Sequence, residues 1–156
     1  HNCLVGSEMC IRDRFYKGFY SIQAYRLANF WIEKKLGLAL YIQSIVSEKF
    51  NVDIHPKAKI GKGIMVDHAS GVVIGETAKV GDYSSIFHGV TLGGIGSEIG
   101  QRHPQIGKNV MLSANATIIG NIKIGDNVRI GAGSVVLNDI PDNSTAVGVP
   151  AKIINN

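Results

Sequence analysis

The chain has 156 residues, of which 45% are hydrophobic, and carries a formal net charge of +4. This length suits one compact unit, and nineteen glycines in so apolar a sequence fit neither a flexible linker nor, without a Gly-X-Y period, collagen. The basic residues are scattered, with Lys57, Lys59 and Lys62 as the densest group, so nucleic acid is not an expected partner.

The first fourteen residues, His1 to Arg14, show neither helical nor strand periodicity and resemble translated adapter sequence. We expect them to be a non-native or disordered tract. Both cysteines lie there, so disulfides are not expected to stabilise the fold. The longest apolar run, Leu38 to Ile42, is too short to cross a bilayer. We therefore expect a cytoplasmic protein without a membrane partner.

Residues 15–50 are predicted to be helical. Their apolar residues recur at mixed spacings of three and four, as on the buried face of a helix. The pattern includes Phe19, Ile22, Leu27 and Phe30, and it resumes beyond Gly37. It predicts two short helices or one kinked helix.

From residue 51 the apolar period becomes six, which matches neither a helix nor a lone strand. Fourteen aliphatic residues follow this period in three registers: Ile54, Ile60, Val66 and Val72; Ile74, Val80, Ile86 and Leu92; Ile106, Leu112, Ile118, Ile124, Ile130 and Val136. A six-residue side repeated three times makes a triangular prism of about eighteen residues per coil. We expect a β-helix over 51–140, with four to five coils, followed by a C-terminal segment, 141–156.

The corners of this prism should need turn residues. Many register positions are followed at once by glycine, and Lys108-Asn109 and Asp126-Asn127 supply turn-tolerant pairs. Asn115 stands where Gly133 stands in its own coil, which suggests a positive φ at both positions.

Two breaks in the period are the functional clue. The count slips by two between Val72 and Ile74, next to His68, and eight extra residues stand between Leu92 and Ile106. The second break predicts an extruded loop, 93–105. Loops on a rigid scaffold are frequent binding sites.

His68 and His88 each lie two positions after a register aliphatic, so they should stack on adjacent coils about 5 Å apart. Such a pair could belong to a metal site, or His68 could be a general base with His88 as a polar neighbour. Asp53 lies on the same side one coil earlier and could orient the His68 imidazole. Activation of an alcohol nucleophile needs such a base.

A set of ordered motifs resembles the serine acetyltransferases of the hexapeptide-repeat acyltransferase family: DIHP at 53–56, GIMVDHASG at 63–71, VIGETA at 73–78, VTLGG at 90–94, RHP at 102–104, IGAGSVV at 130–136 and GVPA at 148–151. The resemblance runs from Lys17 to the C-terminus. It implies a mainly β fold, a left-handed parallel β-helix preceded by a short α-helical segment. It also implies transfer of acetyl from acetyl-coenzyme A to the hydroxyl of L-serine, giving O-acetylserine for cysteine synthesis, with no metal.

The resemblance also implies roles for individual residues. His68 matches the base that takes the serine proton, and Asp53 matches the aspartate that orients it. The positions that match substrate-binding residues are Asp67, Arg102 and His103, and those that match the acetyl-coenzyme A site are Gly93, Gly94, Ala114 and Ala132. Gly94 matches a backbone donor near the acetyl group.

In the resembling family the active site forms between neighbouring prisms, which implies a homotrimer, or two trimers paired. The chain carries only the last part of the family's N-terminal helical domain, so we expect a shortened family member in which pairing of trimers is uncertain. It also lacks the long C-terminal tail that binds cysteine synthase, and that complex is not expected. Another hydroxyl acceptor such as a sugar, a metal-dependent hydratase and a non-enzymatic assembly module remain alternatives.

Overall fold

The computed structural model describes residues 15–96 and 100–154. The predictions made for the N-terminal tract, its cysteines and residues 97–99 of the loop concern residues outside these ranges.

Two helices precede the strands, as one of the two sequence interpretations predicted. Helix α1 spans Lys17–Trp31 and helix α2 spans Leu36–Phe50. The break between them precedes Gly37, which lies inside α2. Within the described ranges, neither helix combines the length and the hydropathy needed to span a membrane.

The strands are short, and the first thirteen along the chain lie on successive sides of a three-sided prism. Their bounds are β1 Val52–Ile54, β2 Lys59–Ile60, β3 Met65–Val66, β4 Val72–Ile74, β5 Lys79–Val80, β6 Ser85–Ile86, β7 Thr91–Gly93, β8 Gln105–Ile106, β9 Met111–Leu112, β10 Thr117–Ile119, β11 Lys123–Ile124, β12 Arg129–Ile130, β13 Val135–Val136, β14 Thr145–Gly148 and β15 Ala151–Ile154.

Three parallel sheets form the sides of a β-helix with five turns. The five-stranded sheet has the order β1-β4-β7-β10-β13, the four-stranded sheet β11-β8-β5-β2, and the six-stranded sheet β15-β14-β12-β9-β6-β3. Strands β1 to β10 therefore each pair with the strand three places further along the chain. The predicted mainly β fold, a parallel β-helix of hexapeptide repeats after a short helical segment, is confirmed.

The inward positions of successive coils form one aliphatic column. Ile86, Leu92, Leu112 and Ile118 are fully buried in its middle. The residue two positions before each register aliphatic also points inward, as Val90 and Val110 do, because side chains alternate along a strand. This second inward position explains one error in the sequence prediction.

The count of fourteen register positions assigned Val72 to a separate side of the prism, and this assignment is wrong. Val72 lies in β4 with Ile74, both residues are buried, and Val72 pairs with Val52 of β1. The slip therefore falls between Val66 and Ile74, and its two extra residues enlarge the corner at His68.

The β-helix also extends past the predicted boundary at residue 140. Ile140 forms a parallel bridge to Ile124, and β14 pairs with β12 to complete the fifth turn. Strand β15 then folds back antiparallel on β14.

The two helices close the N-terminal end of the column. Ile22, Tyr25 and Val46 join the buried cluster of the first coil. The Tyr25 hydroxyl donates to the Ala58 carbonyl and accepts from the Ile60 N–H at 3.3 Å, so the buried phenol keeps both hydrogen bonds. Gly18 lets α1 approach the first coil closely, since a Cβ there would lie 2.0 Å from the Val66 carbonyl oxygen.

Asparagines at one corner form a ladder that links three coils. Asn109, Asn127 and Asn143 have φ of 54°, 58° and 58°. Their side-chain amides hydrogen-bond from coil to coil at 2.9 and 3.0 Å. Asn115 and Gly133 also have positive φ, at 59° and 67°, as the sequence predicted.

Replacing Asn127 tests how much this corner contributes to stability. Asn127→Ala should lower the free energy of unfolding by about 1–2 kcal/mol, because alanine disfavours a left-handed φ and loses the amide hydrogen bonds. Asn127→Gly loses the same hydrogen bonds but tolerates the backbone, so its loss should be smaller. Urea denaturation measures both variants, and equal losses would show that the positive φ contributes little.

Candidate active site

The predicted functional residues lie at two corners of the prism. The first, called here the histidine corner, comprises residues 67–71, 87–90, 113–116 and 131–134, between the six-stranded and five-stranded sheets. The second, called the loop corner, comprises residues 55–58, 75–78, 94–96, 100–104 and 120–122, between the five-stranded and four-stranded sheets.

The two extra residues at the histidine corner form a tight backbone bulge. His68 and Ala69 have φ of 57° and 55°. The Ala69 N–H donates to Asp67 O at 2.7 Å and the Ser70 N–H donates to His68 O at 2.6 Å. Each of these hydrogen bonds closes a three-residue turn. Ala69 is buried while 75% of the His68 side chain is exposed. The insertion thus places an imidazole outside an otherwise regular corner.

His68 and His88 are neighbours, as their spacing predicted. Their ring centroids lie 6.0 Å apart and the rings meet edge to face at 87°. His68 Nε2 lies 3.7 Å from Asp67 Oδ1. Nδ1 of His88 is buried and has no hydrogen-bond partner among the described residues.

Asp53 does not contact His68 in the single chain. It lies in the middle of β1, opposite Val73, and its Oδ1 accepts a hydrogen bond of 2.6 Å from Gln43 Nε2. Among the hydrogen bonds and ion pairs of the described residues, none joins Asp53 to His68. The orienting role of Asp53 stays a prediction. For the metal interpretation, the described ranges contain no cluster of three or more His, Cys, Asp or Glu that could hold an ion.

At the loop corner, Thr77 holds the returning end of the extruded loop. Its hydroxyl oxygen accepts from the backbone N–H groups of Arg102 and His103 at 3.1 and 3.2 Å. It also lies 2.8 Å from His103 Nδ1. Gln101 Nε2 adds hydrogen bonds to the carbonyl oxygens of Thr77 and His103 at 2.6 and 2.7 Å.

A short chain of charges ties Arg102 to the same corner. Arg102 Nη2 lies 3.3 Å from Glu76 Oε2, and Lys57 Nζ lies 2.8 Å from Glu76 Oε1. The hydrogen bond from Lys57 is the main reason that the pKa of Glu76 is lowered, with smaller coulombic contributions from Lys57, His55 and Arg102. About a third of the Arg102 side chain stays exposed, so the guanidinium keeps donors for an anionic ligand.

His103 is buried against glycine backbone. Its exposed fraction is 7%. A Cβ added at Gly75 would lie 2.0 Å from His103 Nε2, and one at Gly94 would lie 3.1 Å from the same atom. Burial lowers the pKa of His103, and the neighbouring Arg102 lowers it further. His103 is therefore a neutral imidazole at neutral pH.

The single chain brings some of the predicted residues together and separates others. His68, Asp67, Ala114 and Ala132 share the histidine corner, while Arg102, His103 and Gly94 lie at the loop corner and Gly93 ends strand β7 just before it. Strands of the five-stranded sheet run from one corner to the other, and the five residue steps from Gly89 to Gly94 span about 16 Å. One chain therefore holds the predicted residues in two separate groups, called here half-sites, at opposite ends of the strands of the same sheet.

Sequence reasoning overlooked Glu76 and Thr77 as individual residues and quoted them only inside a motif. A signal was available. Because each coil stacks on the one before it, a loop inserted after β7 must pack against the corner of the preceding coil, which residues 75–78 form.

A parallel β-helix of six-residue repeats with an outward imidazole at an enlarged corner defines the class of hexapeptide-repeat transferases. The family model described as "Bacterial transferase hexapeptide (six repeats)" matches residues 103–138. Serine acetyltransferase of Haemophilus influenzae is 52% identical over 142 residues, covering 90% of this chain and 53% of the relative. Serine acetyltransferase 4 of Arabidopsis thaliana is 57% identical over 139 residues, covering 88% of this chain and 39% of the relative.

Solved structures agree with the sequence relatives. The Neisseria gonorrhoeae serine acetyltransferase in complex with serine is 49% identical, with a TM-score of 0.91, and the match covers 99% of this chain and 63% of that one. A serine acetyltransferase in complex with cysteine is 52% identical, with a TM-score of 0.88 and coverage of 90% and 55%. The chain belongs to the serine acetyltransferase family of hexapeptide-repeat transferases and spans about half the length of the curated relatives it matches.

Replacing Gly75 tests the packing of His103. The methyl group of Gly75→Ala would overlap the buried imidazole, so the variant should lose about 1–3 kcal/mol of unfolding free energy through overpacking. Gly37→Ala is the control, because a Cβ at Gly37 meets nothing within 4 Å. Urea denaturation compares the two, and equal stability of both variants would contradict the close contact.

Acidification tests the neutral state of the loop-corner histidines. Burial lowers the pKa of both His55 and His103 below the ordinary value of 6.5. The unfolded chain then binds more protons than the folded one, so stability is full above pH 6.5 and declines as the pH falls through the lowered values. The unfolding free energy, measured between about pH 7.5 and 5.5, should fall, and His103→Asn should flatten the slope. A slope unchanged in that variant would show that His103 is not responsible.

Proposed function

We propose that this chain catalyses acetyl transfer from acetyl-coenzyme A to the hydroxyl of L-serine, with His68 as the general base. The observation that carries the proposal is the bulge at residues 67–71, which exposes an imidazole beside a carboxylate on a rigid corner. The relatives named serine acetyltransferase, and the solved relative in complex with serine, support serine as the acceptor. O-Acetylserine would then serve cysteine synthesis in the cytoplasm.

The chemistry requires one proton carrier. The serine hydroxyl oxygen attacks the thioester carbonyl carbon while its proton passes to an imidazole nitrogen of His68. The tetrahedral intermediate collapses with cleavage of the carbon–sulfur bond, and the thiolate takes that proton. His68 suits this cycle because its ring is exposed and its one nearby charged partner, Asp67, lies at 3.7 Å.

The loop corner suits recognition of the acceptor. Arg102 presents a planar guanidinium to a carboxylate, and His103 supplies a neutral imidazole beside it. Gly94 lies against both residues, and its backbone N–H is the candidate donor to the developing oxyanion. Asp67, at the other corner, would contact the amino group of the acceptor.

Since these half-sites lie at opposite ends of the strands of one sheet, a complete site requires a second copy of the chain. We propose a homotrimer in which the histidine corner of one copy faces the loop corner of the next. Ala114 and Ala132 lie above His88 on the histidine corner, where small side chains leave a groove for the extended pantetheine arm of acetyl-coenzyme A. Two such trimers could pair through the helices.

Thiol release from acetyl-coenzyme A tests the base and the acceptor together. Release should depend on L-serine, and His68→Ala should reduce kcat by about 10²–10⁴-fold. His88→Gln is the control and should retain most activity, whereas a metal-dependent hydratase would need His88. Release without stimulation by serine would point to another acceptor such as a sugar, and unchanged activity of His68→Ala would refute the base.

Mixing two inactive variants tests the shared site. His68→Ala lacks the base and Arg102→Ala lacks the carboxylate contact, so neither homotrimer should be active. Trimers formed after the two are refolded together should recover about a quarter of the sites, because each site takes one residue from each copy. No recovery, with trimers shown by sedimentation, would place the whole site within one chain.

A further inference from the structure

We infer that Thr77 is a positioning residue that fixes His103 as the neutral tautomer with its proton on Nε2, which makes His103 a hydrogen-bond donor and not a second base. The inference rests on the proposed function only for the identity of the group that receives the hydrogen bond.

The hydrogen bonds around Thr77 leave one consistent set of proton positions. Backbone N–H groups can only donate, so the Thr77 hydroxyl oxygen accepts from Arg102 N and His103 N. Its own proton is then free for the remaining neighbour, His103 Nδ1, at 2.8 Å. The hydroxyl then accepts two hydrogen bonds and donates one, which is its full hydrogen-bonding capacity.

The backbone of Thr77 leads to the same tautomer independently. Its N–H also points at His103 Nδ1, at 3.3 Å. Since this group cannot accept, Nδ1 must carry a lone pair, and the single proton of a neutral imidazole lies on Nε2. Two donors thus converge on Nδ1 from one residue.

The position of Nε2 gives this tautomer its chemical use. Nε2 lies over the backbone of Gly75 and near Gly94, two positions at which a Cβ would crowd it. The absence of side chains at these two glycines leaves room for the imidazole at the loop corner. An Nε2–H donor beside the Arg102 guanidinium suits a carboxylate or a developing oxyanion.

Charged groups from each adjoining element act on the same ring. Arg102, on the loop, and His55, on the first coil, disfavour its protonation, while Glu76, on the second coil, favours it. Loss of the Thr77 hydroxyl would remove one donor to Nδ1 and the oxygen that accepts from both loop N–H groups. The ring would then be freer to exchange tautomers or take a second proton near Glu76.

Long-range ¹⁵N–¹H correlation spectra of the full chain test the tautomer without any assay of activity. Signals missing in His103→Asn assign the residue. In the unsubstituted protein and in Thr77→Ser, Nδ1 should show the pyridine-type shift and Nε2 the pyrrole-type shift at neutral pH. Thr77→Val, which has the same shape without the hydroxyl, keeps only the backbone donor to Nδ1 at 3.3 Å, so it should show a minor fraction of the other tautomer and a higher titration midpoint. A proton on Nδ1, or a charged ring at neutral pH, in the unsubstituted protein would overturn the inference.

Kinetics with serine give the functional outcome. Thr77→Val should lower kcat/KM for serine by about tenfold or more, with the KM for acetyl-coenzyme A unchanged, and Thr77→Ser should restore most of the loss. Thermal unfolding of the three proteins checks that Val and Ser are equally folded. Equal kinetics of Val, Ser and the unsubstituted protein would refute the positioning role. The predicted tautomer in a protein without serine-dependent activity would instead refute the proposed function and leave the role of Thr77 intact.

Discussion

Coil-on-coil stacking is the constraint on which the rest of this molecule depends. Each turn of backbone hydrogen-bonds to the next through three parallel sheets, and the inward aliphatic side chains form a continuous column. Every coil must therefore return to the same three corners. Irregular backbone can occur only in segments that depart from this regular frame of stacked coils. The described ranges contain two insertions into this frame, the bulge at His68 and the loop before Gln105, and both carry the candidate chemistry.

These departures act differently on their side chains. The bulge adds two residues with positive φ and exposes the imidazole of His68, the proposed base, to solvent. The loop returns onto the corner beneath it and buries its imidazole, because Thr77 and Gln101 satisfy its backbone. The two candidate histidines thus receive opposite environments, one open and one enclosed.

Much of the fold and part of the candidate site could be predicted from the sequence. The six-residue period predicted the β-helix, and the spacing of His68 and His88 predicted their contact. Val72 was misplaced because two inward positions occur in each strand and an aliphatic residue suits either. The fifth turn was missed because Ile140 comes only four positions after Val136, which moves Ile140 and Ala146 out of the six-residue register. The separation of the half-sites and the hydrogen bonds of Thr77 depend on which corner each residue occupies, which a linear motif does not record.

The extruded loop leaves the strand pairs on both sides of it intact. Strand β7 pairs with β4, and β8 pairs with β5, as they would if the intervening residues were a simple corner. Since the ends of the loop are held by the frame, changes in its length cost little closure entropy. The scaffold therefore makes the loop and the proposed base structurally independent. Exchange of residues 94–104 could admit a different acceptor, while His68, on another corner and another coil, would keep its position.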